Sequence, residues 1–195
     1  DNTVLRYTQV NPDHWWNPTA VLAYSNTEIA VPVVLSAGVF IPGKGETSSF
    51  NGKFENRFPI HIGSITAGVD FYRDKADYRD RTMQADEKAS NHGVYLQARI
   101  NPWQPLNISA GIRNDHHELT GTQGSSWSHS GLSSNISGEL AVVPELLTLK
   151  AGYSEVFSGS QMAENFIMNP LWNYGRGPRA TKADNYFAGL QSRFY

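Results

Sequence analysis

The chain has 195 residues, 39% of them apolar and 17% charged, and good helix formers such as Glu, Lys and Leu are sparse, so it is neither disordered nor helix-rich. A formal charge of −2 gives no basic footprint for nucleic acid, and the absence of cysteine excludes disulfides and thiolate metal sites. No apolar run approaches the roughly 18 residues of a transmembrane helix, but membrane-crossing strands carry a much weaker signal, so hydropathy leaves that question open.

Apolar residues recur at every second position along most of the chain. The first candidates are the weaker ones: VLRYTQV at 4–10, AVLAYSNTEIAV at 20–31 and SFNGKFENRF at 49–58. In GSITAGVDFYRDKADYRD, residues 63–80, Ile65, Ala67, Val69 and Phe71 fall on one side, opposite Thr66, Gly68, Asp70 and Tyr72, before the pattern dissolves into charge. The same period returns with Val94, Leu96, Ala98 and Ile100, then with Leu106, Ile108, Ala110 and Ile112. It returns again with Leu132, Ile136, Leu140 and Val142, with Leu147, Leu149, Ala151 and Tyr153, and with Tyr186, Ala188, Leu190 and Phe194. These stretches predict about nine strands and no helix.

The connections alternate in length. Short ones, NPDHWWNP, FPIHIG, NPWQP and VPE, alternate with long polar ones at 32–48, 73–91, 114–130 and 155–182. A soluble sandwich has no reason to lengthen every second loop. An outer-membrane barrel does, with short periplasmic turns and long outer loops, and its strands need about 9–11 tilted residues to cross the hydrocarbon layer. The Trp-rich turns suit an interfacial aromatic girdle. The expectation is an all-β, antiparallel transmembrane β-barrel. With turns at 12–18, 59–63, 101–105 and 143–145 in the periplasm, nine strands starting outside do not close a bacterial barrel. The chain is therefore expected to be a segment of a larger one, or to close on itself as a small barrel.

Several blocks resemble the TonB-dependent outer-membrane receptors: GSITAGVDFYRDKADY, LNISAGIRNDHHELTG, LTLKAGYSEVFSGSQMAENF and TKADNYFAGLQSRF, in the family's order and spacing. The resemblance covers residues 50–195 and, more loosely, the first fifty. It implies that residues 1–195 are the middle part, about nine strands, of a 22-stranded barrel, with no plug domain, TonB box or signal peptide in this chain. It further implies a receptor in the bacterial outer membrane that takes up a ferric chelate, with plug and TonB reached through the rest of the receptor and the lipid bilayer around it. No resident cofactor and no nucleic acid are expected.

No nucleophile elbow and no suggestive carboxylate pair points to an enzyme. Candidate ligand contacts lie where strands enter the outer loops. His116, His117 and His129 suit iron or haem, although a strand-end polar role is the commoner one for such residues. Tyr78, Arg81, Trp127, Trp172, Tyr174 and Arg176, with Arg79 and Arg179, offer flat apolar contact and positive charge to an anionic ferric complex, or simply a solvated loop surface. His14 and His61 sit in periplasmic turns, away from any ligand. The haem receptors' motif after the YSEVF strand is matched only in Phe157 and Asn169-Pro170-Leu171. Ser158-Gly159-Ser160 replaces its Arg-Ala-Pro, and no His follows, which puts a siderophore ahead of haem. A small pore or adhesin and a soluble β-sandwich binding module are the alternatives.

Overall fold

The period-two pattern makes strands because successive side chains point to opposite faces, so one face can turn to lipid and the other to a polar lumen. A computed structural model describes residues 1–10, 13, 15–36, 39–162 and 169–193. Nine strands form one antiparallel sheet in chain order: β1 (Asn2–Thr8), β2 (Pro18–Ser36), β3 (Val39–Ile60), β4 (Gly63–Arg79), β5 (Gln84–Trp103), β6 (Leu106–Thr120), β7 (Ser126–Val143), β8 (Leu147–Ser158) and β9 (Thr181–Ser192). The described residues contain no helix. β1 and β9 are the open edges of the sheet. His14 and Phe194 lie outside the described residues.

The turns expected to face the periplasm are short. Ile60 pairs Gly63 around a two-residue turn, and Trp103 pairs Leu106. Gly63 has φ +149°, where an added Cβ would crowd the Ile100 Cα at 2.9 Å, so glycine is required. The side chain of buried Asn56 clamps the longer β1–β2 connection. Its carbonyl accepts from the Asn17 amide at 2.7 Å, and its NH₂ donates to the Trp15 carbonyl at 2.8 Å.

The outer connections differ from expectation. Most of 32–48, 73–91 and 114–130 is continuous ladder, with pairing running to Ser36↔Val39, Arg79↔Gln84 and Thr120↔Ser126. The outward apolar alternation ends there, but backbone pairing does not need it. The inward face of these extensions is covered instead, with Ala76, Tyr78, Ala85, Glu87, Ala89 and Leu119 buried. Among the described residues, the connection between β8 and β9 is the one long connection into which the ladder does not continue.

Register assigns the faces. Val69↔Val94 and Leu96↔Ile112 lie outward; Asp70, Tyr95, Arg113 and Asn135 lie inward. Along the inward face, glycines of one strand receive side chains of the next: Tyr95 covers Gly68, Arg113 covers Gly93, Asn135 covers Gly111 and Phe187 covers Gly152. A strand glycine commonly marks such a close approach.

Candidate functional site

The inward face of β4–β7 builds a site in tiers. In the lowest tier Arg113 bridges two carboxylates, donating to Asp70 at 2.6 and 2.7 Å and to Asp115 at 2.7 Å. Asn91 adds a bond to Asp115 at 2.8 Å. Asp115 is buried, and this charge-assisted fork fixes the strand interior as a rigid polar floor.

One pair higher, Tyr72, Asn91, His117 and His129 stand in register across β4, β5, β6 and β7. His117 and His129 are directly opposite each other on one face. His117 is buried, its ring 5.8 Å from Phe157 and its Nδ1 3.4 Å from the Tyr72 hydroxyl. His129 is half-buried, its Nδ1 3.2 Å from Ser160 Oγ. Among the described residues neither Nε2 has a hydrogen-bond partner. With Nδ1 beside a hydroxyl, Nε2 is the ring nitrogen left to meet another partner; among the described residues no group of three or more His, Asp or Glu could hold a metal ion. Phe157 enters this tier because β8 stops pairing with β7 at Ser134↔Glu155, and its ring then fills the space over Gly131.

The top tier is closed by the β8–β9 connection. Trp127 and Tyr174 meet edge to face at 5.5 Å, and Trp172 lies 6.4 Å from Tyr174. The Tyr174 hydroxyl donates to the fully buried Glu87, and Thr122 donates to the Trp172 carbonyl at 3.1 Å. The recess left between Trp127, Trp172 and Tyr174 is about 40 Å³. Ligand cavities run to hundreds of Å³, so this closed arrangement holds no chelate without movement of the connection.

Of the sequence candidates, His117, Trp127, His129, Trp172 and Tyr174 converge. Tyr78 is buried beside them in a separate cluster with Ala76 and Ala85, against which Met83 and Met162 pack. Its hydroxyl donates to Asp80 at 2.9 Å, and burial, then that carboxylate, pushes its pKa up. His116 is not part of the site: it faces outward, near Ser130 at 2.7 Å and Glu118 at 3.3 Å. Arg81 is exposed at the β4–β5 tip, and Arg79, Arg176 and Arg179 are exposed as well. Tyr72, Glu87, Asp115, Phe157 and Ser160 were missed. Parity in β6 was a usable signal for Asp115 and for separating His116 from His117. No local pattern announces that Tyr174 meets a residue 87 positions away.

Residues 2–195 match the family described as TonB dependent receptor-like, beta-barrel. Heme transporter BhuA of Brucella ovis is 24% identical over 208 residues, covering 97% of this chain and 30% of that protein. Among solved structures, the copper transporter OprC superposes with a TM-score of 0.84 at 13% identity, over 99% of this chain and 36% of that one. The FrpB iron transporter from Neisseria meningitidis (F5-1 variant) gives 0.79 at 13% identity, over 98% and 34%. At those identities the solved structures establish the fold alone. The chain thus spans about a third of the length of these proteins.

Proposed function

The chain belongs to the TonB-dependent receptor-like β-barrel family, and we propose that it is part of the barrel wall of a receptor importing an iron chelate, with haem ahead of a ferric siderophore. The family's members are outer-membrane β-barrels, and the relatives are transporters and receptors, not enzymes. In the whole receptor, further strands pair the open edges of β1 and β9, which lipid cannot satisfy, and the plug and TonB act through parts beyond this chain.

The observation that carries the ligand class is the opposed pair His117 and His129 on the lumenal face. Siderophore iron is saturated by its chelator, whereas haem iron keeps axial positions that imidazole fills well. The two histidines leave adjacent strands side by side, so they do not sandwich a porphyrin. His129, the more open, takes the axial position, and His117 donates to a propionate or supports the ring edge. Trp127, Trp172 and Tyr174 supply flat apolar contact. Arg81 and Arg176, the cations expected to attract an anionic siderophore complex, are exposed, which favours haem over the siderophore that the sequence put first.

The test is titration of the full-length receptor in detergent with hemin, a ferric tris-catecholate and a ferric hydroxamate, following the Soret band and tryptophan quenching. Expected is a Soret shift with hemin, weakened at least tenfold (about 1.4 kcal/mol) in His129→Ala and less in His117→Ala. Hemin binding unchanged in both variants, or quenching by a siderophore complex alone, overturns the haem assignment.

A further inference from the structure

The outward face of β2–β6 carries a second feature, on the opposite side of the sheet from the histidines and independent of the ligand assignment. Going up from the periplasmic turn, outward residues of β4 are Ile65, Ala67, Val69 and Phe71, then Arg73, Lys75, Asp77 and Arg79. Arg73 is about the eleventh residue of the strand, where a tilted strand leaves the hydrocarbon layer. Register turns this change into rows. Tyr24, Phe50 and Arg73 lie in line across β2, β3 and β4; one row higher Lys75 stands directly opposite Lys88.

These rows enclose a recess of about 470 Å³, lined by Tyr24, Phe50, Arg73, Lys75, Lys88 and His92 among others. Its lower side is aromatic: Phe50 and Phe71 are 5.4 Å apart, and Phe71 and His92 6.5 Å. Its upper side is cationic. Two ammonium groups directly opposite repel one another and need an anion between or beside them. Asp77 at 2.7 Å from Lys75 and Asp86 at 3.1 Å from Lys88 supply this from one row further out, on the side away from the membrane. Arg73, at the membrane edge, makes no ion pair among the described residues. Two acidic residues also line the recess, Asp74 and Glu118, the latter 3.3 Å from His116 Nε2, a contact that neutralises it only when the imidazole is protonated. From the bilayer outward the order is therefore aromatic rings, a guanidinium, then paired ammonium groups. An acylated phospholipid or glycolipid presents the complementary order, chain first and phosphate at the hydrocarbon edge. Guanidinium suits phosphate through its planar fork, and basic residues near a lipid surface attract anionic headgroups.

We propose that this outward recess binds a phosphorylated, acylated lipid of the outer leaflet, its phosphate held by Arg73 with Lys75 and Lys88 and its chain laid along Phe50 and Phe71. The test uses the full-length receptor and three probes: bis-phosphorylated lipid A, the same lipid with its phosphates removed, and inorganic phosphate as competitor. Retained lipid is counted by native mass spectrometry. Lipid A should bind the unaltered receptor at least tenfold more tightly than Arg73→Gln/Lys88→Gln, with Arg79→Gln, two rows higher, unchanged. The phosphate-free lipid should bind at least tenfold more weakly. Heat-modifiable gel migration identifies folded barrels. If the double variant does not fold, Arg73→Lys against Arg73→Gln decides, the first retaining lipid and the second losing it. Equal binding by folded Arg73-altered receptor, equal binding of the phosphate-free lipid, or displacement by millimolar phosphate overturns the proposal.

Discussion

Replacing Gly68 with alanine should destabilise the barrel out of proportion to one methyl group. Gly68 and Tyr95 are directly opposite on β4 and β5, on the lumenal face. A Cβ at Gly68 would lie 2.5 Å from the Tyr95 hydroxyl oxygen and 2.9 Å from Cε1, so the ring would have to withdraw by about 1 Å to reach ordinary contact. The ring is not free to do so, because its hydroxyl donates to Glu55 at 2.6 Å from β3. Either the clash remains, which costs about 1–3 kcal/mol as overpacking, or the ring moves and the bond to the carboxylate is lost, which costs about 1.5–3 kcal/mol. Urea unfolding of the full-length receptor in lipid vesicles should therefore show Gly68→Ala less stable by about 2–3 kcal/mol. A double-mutant cycle separates the two routes. Tyr95→Phe alone should cost about 1.5–3 kcal/mol; in the Gly68→Ala background it should cost almost nothing if the ring has already left Glu55. A neutral Gly68→Ala would refute the argument that Tyr95 is locked over the glycine. Strict additivity would show that the ring stays and the strain is borne elsewhere.

Two further effects concern the outer connections. Tyr174→Phe removes the hydroxyl that reaches buried Glu87, a bond to a charged group worth about 1.5–3 kcal/mol, so tryptic cleavage at exposed Arg176 and Arg179 should rise about tenfold or more; unchanged cleavage would show that Tyr174 does not hold the connection down. At the β4–β5 tip, the Thr82 amide, then the Thr82 hydroxyl, hold the Asp80 carboxyl below its ordinary value, with the Met83 amide and the Tyr78 hydroxyl adding to this. Because the folded pKa is depressed, this contribution is full above the ordinary carboxylate range and disappears as pH falls through the folded value. Amide exchange at Thr82 and Met83, corrected for intrinsic rates, should accelerate below pH 4 (roughly the ordinary Asp value), should be fast at every pH in Asp80→Ala, and should lose its pH dependence in Asp80→Asn, whose amide oxygen still accepts. Protection that ignores both pH and the substitution would refute this role.

The sequence by itself determined the strand count, the two faces and the membrane span. Those follow from a period of two and from how many residues cross a hydrocarbon layer, both local properties of the chain. Val69 and Asp70 declare opposite faces without reference to any other strand. The same parity, followed through β6, already sends His116 outward and His117 inward. The length of the polar outer segments was legible, but not that they stay paired: a ladder such as Lys75↔Lys88 depends on which strand lies alongside, and apolar periodicity is silent about that. Only the tertiary structure set His117 against His129, brought Phe157 over Gly131, and folded Tyr174 back onto Glu87. It also gathered Tyr24, Arg73 and Lys88 around one recess. Each of these contacts joins residues distant in the chain through register and through a long connection that returns to the sheet. Register is a property of pairs of strands, and no single strand encodes it.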